Sequence, residues 1–371
     1  MKLLLFKSLR YHIATLLVIL PALALAQPYA PEPCPSQTPP APPTPVVQQT
    51  LPPAPPMPPV VVPHQAGCKE AEVYTYSSEK RKTFDKTYKV SKSDVLNINN
   101  EFGNVHVNTW NRSEIQVKVD IISRANSEQQ AQEMLNKINV ADSRSGNTIS
   151  VKTQMGSIHS NGRNQNFEIN YTINMPTDNA LTVKNKFGSV YLPDMKGKVD
   201  LNVQYGSFKV GNLSNVTNNI KASFCTNTQN TIGFLNKGSL DLDYSNVNLN
   251  ATNGVNGSSN FTDLMIGNLA EVLNMEVKYG TFRVNKVQKD FKNISLDGGF
   301  TPIQIYFEDD AAFNFDVNVQ FADFKVDRNL VKFTNLEQGH TSSAYKGKYG
   351  SATPKGTINI TSKYKDVKFT K

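Results

Sequence analysis

Two hydrophobic periods run through this chain, a short one inside a long one. Within short runs apolar and polar residues alternate strictly, as in Ile115-Gln-Val117-Lys-Val119-Asp-Ile121 and Val199-Asp-Leu201-Asn-Val203-Gln-Tyr205. Alternation places every second side chain on one face, which is the pattern of half-buried β-strands. The longer period is carried by an aromatic followed by two small or polar residues and then an apolar–any–apolar triplet. These aromatics are Phe102, Phe187, Tyr205, Phe224, Tyr244, Phe261, Tyr279, Phe300 and Phe321, spaced from Phe187 onward by 18, 19, 20, 17, 18, 21 and 21 residues. A further copy, Ile358-Asn-Ile360 with Tyr364 and Val367-Lys-Phe369, closes the chain. A repeat of about twenty residues predicts stacked coils, because one unit cannot bury its apolar face alone.

Each coil reads as a strand, a tight corner and a second strand. Gly103, Gly188, Gly206 and Gly280 fall at the corners, where glycine tolerates the dihedral angles a sharp bend needs. Carrying the alternation through the corner puts the aromatics inward, as a buried ladder in which each ring truncation costs about 3–5 kcal/mol. With strands about 4.8 Å apart, eight or nine coils make a rod on the order of 40 Å long. The fold predicted is therefore all-β, a β-solenoid of helix-like stacked coils with one short helix in its N-terminal part. An up-and-down sandwich or barrel would also give regular short strands. Hairpin Asn-Gly turns are rare at the right places, however, and the units copy one another closely. The helix is expected after Ser127, an N-cap with Gln130 three residues on, where Ala131, Met134, Leu135 and Ile138 fall at helical intervals. Gly339–Pro354 reads as a loop inserted before the last coil.

Composition divides the chain further. Residues 1–26 have the form of an export signal: basic Lys2, Lys7 and Arg10, an apolar Ile13–Leu20 and a small–x–small Ala24-Leu25-Ala26. The apolar run is short for a membrane span of roughly 20 residues, so no transmembrane domain is expected after cleavage. Removing those three cations takes the net charge from +8 to +5, which is no argument for nucleic acid. Residues 27–68 form a Pro-rich spacer; 28–63 alone holds 16 of the 21 prolines, so it is expected to be extended polyproline or a disordered leader. A β-rich part with the helix follows over 69–180, and the repeats occupy 181–371. Of three cysteines, Cys34 and Cys68 bracket the spacer and could pair after export, while Cys225 takes the corner slot that elsewhere holds glycine.

Candidate chemistry is sparse. Asp241 and Asp243 share an outward strand face near Asp263, but a polysaccharide-cleaving site needs acids clustered from adjacent coils. Glu308-Asp309-Asp310 is an acidic turn without the spacing of a calcium loop. His12, His64, His106, His159 and His340 show no metal-ligand spacing. Asn97, Asn99, Asn100, Asn185, Asn202, Asn248 and Asn260 lie beside corners or strands, where they suit turns or could bond one another along the stack. No catalytic residue, cofactor or metal is assigned.

One stretch is more specific. Thr83-Phe84-Asp-Lys-Thr-Tyr88-Lys-Val90 leads into Leu96-Asn-Ile98-Asn-Asn-Glu-Phe102-Gly103-Asn104-Val105, then Trp110 and Glu114-Ile115-Gln-Val117, the helix and the Phe/Tyr-Gly-Ser/Thr repeats. Over roughly residues 83–370 this resembles the bacterial putative-adhesin family, a β-strand-repeat domain of unknown function in its Bacteroidetes form. The resemblance implies a β-solenoid exported to the cell envelope, with no catalytic residues to carry over. The expectation is a non-enzymatic protein of the periplasm, cell surface or medium, presenting an extended face to a glycan or an envelope or surface protein. Its rivals are a carbohydrate-active solenoid enzyme and a periplasmic structural or stress scaffold.

Overall fold

The computed structural model describes residues 76–157, 165–226 and 230–371. The signal, the spacer, Cys34, Cys68, His12, His64 and His159 lie outside the described residues. Tyr74–Lys371 is one compact unit, and its described residues are all-β apart from the helix Glu128–Asn136 and a 3-10 turn at Arg328–Leu330. The 24 strands among the described residues share one hydrogen-bonded network.

Alternation sets the strands, and the twenty-residue repeat sets how they pair. From Phe102 to Phe300 the strand before each corner aromatic lies parallel to its counterpart one repeat on. Val199–Gln204 is flanked by Ala180–Lys186 and Asn218–Ser223, with Val203 opposite Asn185 and Ala222. The strand after the corner does the same: Ser207–Leu213 lies between Ser189–Leu192 and Thr231–Asp243. Inward residues of both runs, among them Val203, Phe208 and Val210, merge into one core cluster. The sheet passes residue 180 without interruption, since Val95–Glu101 pairs with Ala180–Lys186.

Both ends of the stack are closed by antiparallel strands. At the first end Ser78–Lys89 pairs with Glu114–Ala125, and Ile138–Ser145 pairs with Thr148–Met155. Lys80, Arg81, Lys82 and Lys86 give the outermost strand a charged edge that discourages pairing with another chain. The helix buries Ala131, Met134 and Leu135; Ser127 Oγ accepts from the Gln130 N–H at 3.3 Å. Ile138 opens the following strand instead of extending the helix.

At the other end the chain departs from sequence order. The terminal strand Gly356–Lys363 is threaded between Asn293–Gly299 and Phe313–Gln320, parallel to both. Val367–Thr370 likewise sits between Ile303–Phe307 and Phe324–Lys325. The expected inserted loop is a hairpin, Val331–Gln338 with Ser342–Tyr349, laid antiparallel on Phe313–Gln320. Its Tyr345 and Tyr349 are buried against Phe324 and Phe313, which explains why this segment orders as sheet.

The last sixteen residues therefore fill a slot between coils made earlier in the chain. A chain truncated after Lys355 should lose several degrees or more of Tm, with four parallel strand edges left unpaired. A synthetic peptide of residues 356–371 added in trans should restore part of that loss, measured by thermal denaturation and by peptide retention on the truncated protein.

Candidate functional site

The corner aromatics are the most unusual residues of the molecule. Among the described residues eleven that are not glycine have positive φ, and ten of these are Phe102, Phe187, Tyr205, Phe224, Tyr244, Phe261, Tyr279, Phe300, Phe321 and Tyr364, at φ between 47° and 70°. The left-handed conformation costs a residue with a Cβ about 1–2 kcal/mol, and Gly or Asn would relieve it. Its effect is to turn the chain from one strand run to the other and to swing the side chain outward. The aromatics are therefore not in the interior: Phe102 is half-buried and the other nine are 40–53% exposed. Val199, Leu201 and Val203 point inward as their alternation requires, but the corner breaks the phase before Tyr205.

The rings stack on one another outside the core. Eight consecutive partners from Phe102 to Phe300 lie 4.6–5.2 Å apart, with interplanar angles of 20° or less. Tyr364 then packs on Phe300 at 4.3 Å and Phe321 on Tyr364 at 5.5 Å. Threading of the terminal strand puts Tyr364 between the two phenylalanines. In spatial order phenylalanine and tyrosine therefore alternate without a break from Phe187 to Phe321. The file is one ring wide and runs over roughly 40 Å at the ~4.8 Å strand spacing. The backbone supports it rung by rung: the Tyr205 N–H donates to the Ser223 carbonyl and the Tyr244 N–H to the Asn260 carbonyl, each at 3.0 Å. A stacked pair contributes about 0.5–1.5 kcal/mol, close to the backbone cost per ring. Lys186 Nζ lies 4.9 Å from the Phe187 centroid, at one margin of the ridge.

The corner glycines serve a different purpose from the one expected. None of Gly103, Gly188, Gly206 or Gly280 has positive φ. A Cβ on Gly206 would instead meet the Gly188 carbonyl oxygen at 2.0 Å, and one on Gly280 the Thr262 carbonyl oxygen at 2.0 Å. These glycines permit close passage of neighbouring coils. In the middle coils the slot holds Cys225, Ser245 and Thr262, all buried. Ser245 Oγ accepts from the Cys225 N–H, and Thr262 Oγ1 from the Ser245 N–H, both at 3.1 Å. Burial pushes the Cys225 thiol pKa above its ordinary value. Buried asparagines complete the corners: Asn185 Nδ2 donates to the Gly103 carbonyl and Asn100 Nδ2 to Asn185 Oδ1, each at 3.1 Å.

The other candidate residues are dispersed or already engaged. Asp241 pairs with Lys221 at 3.1 Å, Asp243 accepts from Asn260, and Asp263 accepts from the Thr281 hydroxyl and N–H. Lys286 and the Lys289 N–H hold the Glu308 carboxyl below the usual carboxylate range, the N–H contributing most. Asp309 pairs with Lys371 at 3.2 Å. His106 stacks on Tyr191 with centroids 4.6 Å apart. Among the described residues no three His, Cys, Asp or Glu side chains gather as metal ligands. None of their helices is long and apolar enough to cross a membrane.

No family model and no curated protein matches the chain. The solved structures it is similar to include putative adhesins of Bacteroides and Parabacteroides, the kind of protein whose pattern the sequence resembles. A putative adhesin from Bacteroides fragilis shares 12% identity over 78% of this chain and 97% of its own, with a TM-score of 0.33. One from Parabacteroides merdae shares 10% over 78% and 97%, with a TM-score of 0.32. A putative lipid binding protein from Parabacteroides distasonis shares 12% over 78% and 97%, with a TM-score of 0.27. At such identities and scores, the function has to be argued from this chain's own geometry.

Two substitutions separate the ridge from the core. Tyr244→Gly loses ring stacking but relieves the left-handed strain, so its stability should stay within about 1 kcal/mol of the parent. Phe282→Ala, in the buried run behind the ridge, should cost about 3–5 kcal/mol. Denaturant unfolding of both variants reads the difference. Gly206→Ala should cost about 3 kcal/mol or more, because the added methyl meets backbone that cannot move aside.

Proposed function

We propose that this chain is an exported, non-enzymatic, adhesin-like β-solenoid whose exterior aromatic ridge is its contact face. One observation carries the reading: ten strained corner positions hold aromatics, nine of them exposed and all in one file. On an area of 150–250 Å² per ring, their exposed surface is on the order of 800 Å². Contiguous apolar patches on soluble monomers are usually about 300–600 Å² and mark interaction sites when larger. The parallel, in-register pairing of successive repeats supports the solenoid. The export signal and proline-rich spacer support display away from a surface. Engagement of Asp241, Asp243 and Asp263 by neighbouring side chains favours a binding role over glycoside hydrolysis.

The test has two arms. Fractionation of cells should place the protein in the envelope or the medium, and a cytoplasmic location would refute export. In the second arm the purified protein is immobilised and whole cells are passed over it. Capture should fall at least five-fold when Tyr244, Phe261 and Tyr279 are all changed to Asn, which tolerates left-handed φ. Undiminished capture by a folded triple variant would remove the ridge from the function.

A further inference from the structure

The ridge carries a finer pattern than exposed hydrophobicity. Phenylalanine and tyrosine alternate from Phe187 to Phe321, so a tyrosyl hydroxyl recurs at every second rung. Centroid steps of 4.7 and 5.0 Å separate Tyr205 from Tyr244, and 4.7 and 4.6 Å separate Tyr244 from Tyr279. The hydroxyls of Tyr205, Tyr244, Tyr279 and Tyr364 have no hydrogen-bond partner among the described residues, and each residue is 45–47% exposed. Because the rings lie face to face, their faces are covered and only edges and hydroxyls meet solvent.

That geometry discriminates among partners. Single-stranded nucleic acid binds by stacking bases on open ring faces, which this ladder does not offer. An extended peptide advances about 3.3 Å per residue, so side chains on one face return every ~6.6 Å and drift out of step with rungs ~4.8 Å apart. Membrane insertion needs a broad apolar face, whereas this file is one ring wide. It is bordered by Gln204, Ser223 and Asn260 on one side and Ser207, Asn246 and Thr281 on the other. A β-1,4-linked chain of six-membered sugar rings in its extended two-fold form advances by roughly 5 Å per unit, close to the ~4.8 Å strand spacing. Alternate units of such a chain are turned over, so the same hydroxyl edge returns at every second unit.

We propose that the ridge binds a linear β-linked polysaccharide laid along its length. Sugar units run in register with the rungs, and the tyrosyl hydroxyls read every second unit through hydrogen bonds. Contact is made by ring edges and flanking polar side chains, not by sugars stacked on ring faces. The inference rests on the ridge being the contact face and adds the class of partner.

The experiment uses the mature protein and β-1,4-linked glucan, mannan and chitin-type oligosaccharides of graded length, with binding read by calorimetry and by retention on the insoluble polymers. Affinity for at least one series should rise with length and level off near about ten units, one for each of the ten rungs at ~4.8 Å spacing. The fourfold variant Tyr205→Phe, Tyr244→Phe, Tyr279→Phe, Tyr364→Phe keeps every ring and should keep its Tm. Its affinity should nevertheless fall at least ten-fold. Binding that is independent of length, or unchanged in the fourfold variant, would overturn the proposal. So would the absence of binding to all three series; if whole cells were still captured through the ridge, the contact face would stand with a protein or lipid as its partner. The Tyr244, Phe261, Tyr279→Asn variant separates the cases, since cell capture that survives it refutes the ridge itself.

Discussion

At each aromatic corner of the stack a residue with a full side chain adopts the left-handed conformation, and at nine of the ten its N–H reaches the carbonyl just before the neighbouring coil's corner, the Phe321 N–H meeting the Thr341 carbonyl instead. This one arrangement turns the chain from the first strand run to the second and keeps adjacent coils in register. It also throws the side chain clear of the core. Had glycine occupied these positions the backbone could bend at less cost, but nothing would project. With aromatics, every bend adds one rung, and ring stacking offsets much of the strain that the bend introduces.

Close approach of the coils follows from the same geometry. Where the slot after the ring is glycine, the adjoining coil's carbonyl oxygen occupies the space a Cβ would need. Where it is Ser245 or Thr262, the hydroxyl turns inward and accepts a backbone N–H from the preceding coil. Both solutions leave the buried corner hydrogen-bonded, as a low-dielectric interior demands. The residue type at this slot therefore varies along the stack while the path of the chain does not.

Much of this was legible in the residues. Strand alternation and the Ser127 cap depend on local chemistry, and the repeat spacing reports the pairing of one coil on the next. The direction of the rings was not legible by extending the alternation, because aromatics rarely take left-handed φ and residue type does not reveal the sign. A signal was nevertheless present. Inward residues are odd-numbered through Val203 and even-numbered from Phe208, and so uninterrupted strand cannot connect them. The order of the last coils was hidden for another reason, since similar repeats can exchange places in a stack. Along the chain Phe300 is followed by Phe321 and then Tyr364, a break in the phenylalanine–tyrosine alternation. Placing Tyr364 between them restores it, which is a trace of the threading.

The threaded terminal strand also bears on when this molecule can finish folding. Residues 356–371 are made after the strands that flank them, yet they belong inside the stack with those earlier coils on either side. Until they are in place, two pairs of strands face each other across empty lanes, and that end cannot assume its final packing. Coils nearer the start can assemble without them, but the far end is completed only when residues 356–371 are in place. A molecule in which this segment has not docked is thereby distinguishable from a finished one by exposed parallel edges, a feature that chaperones or proteases acting on unpaired strands could recognise.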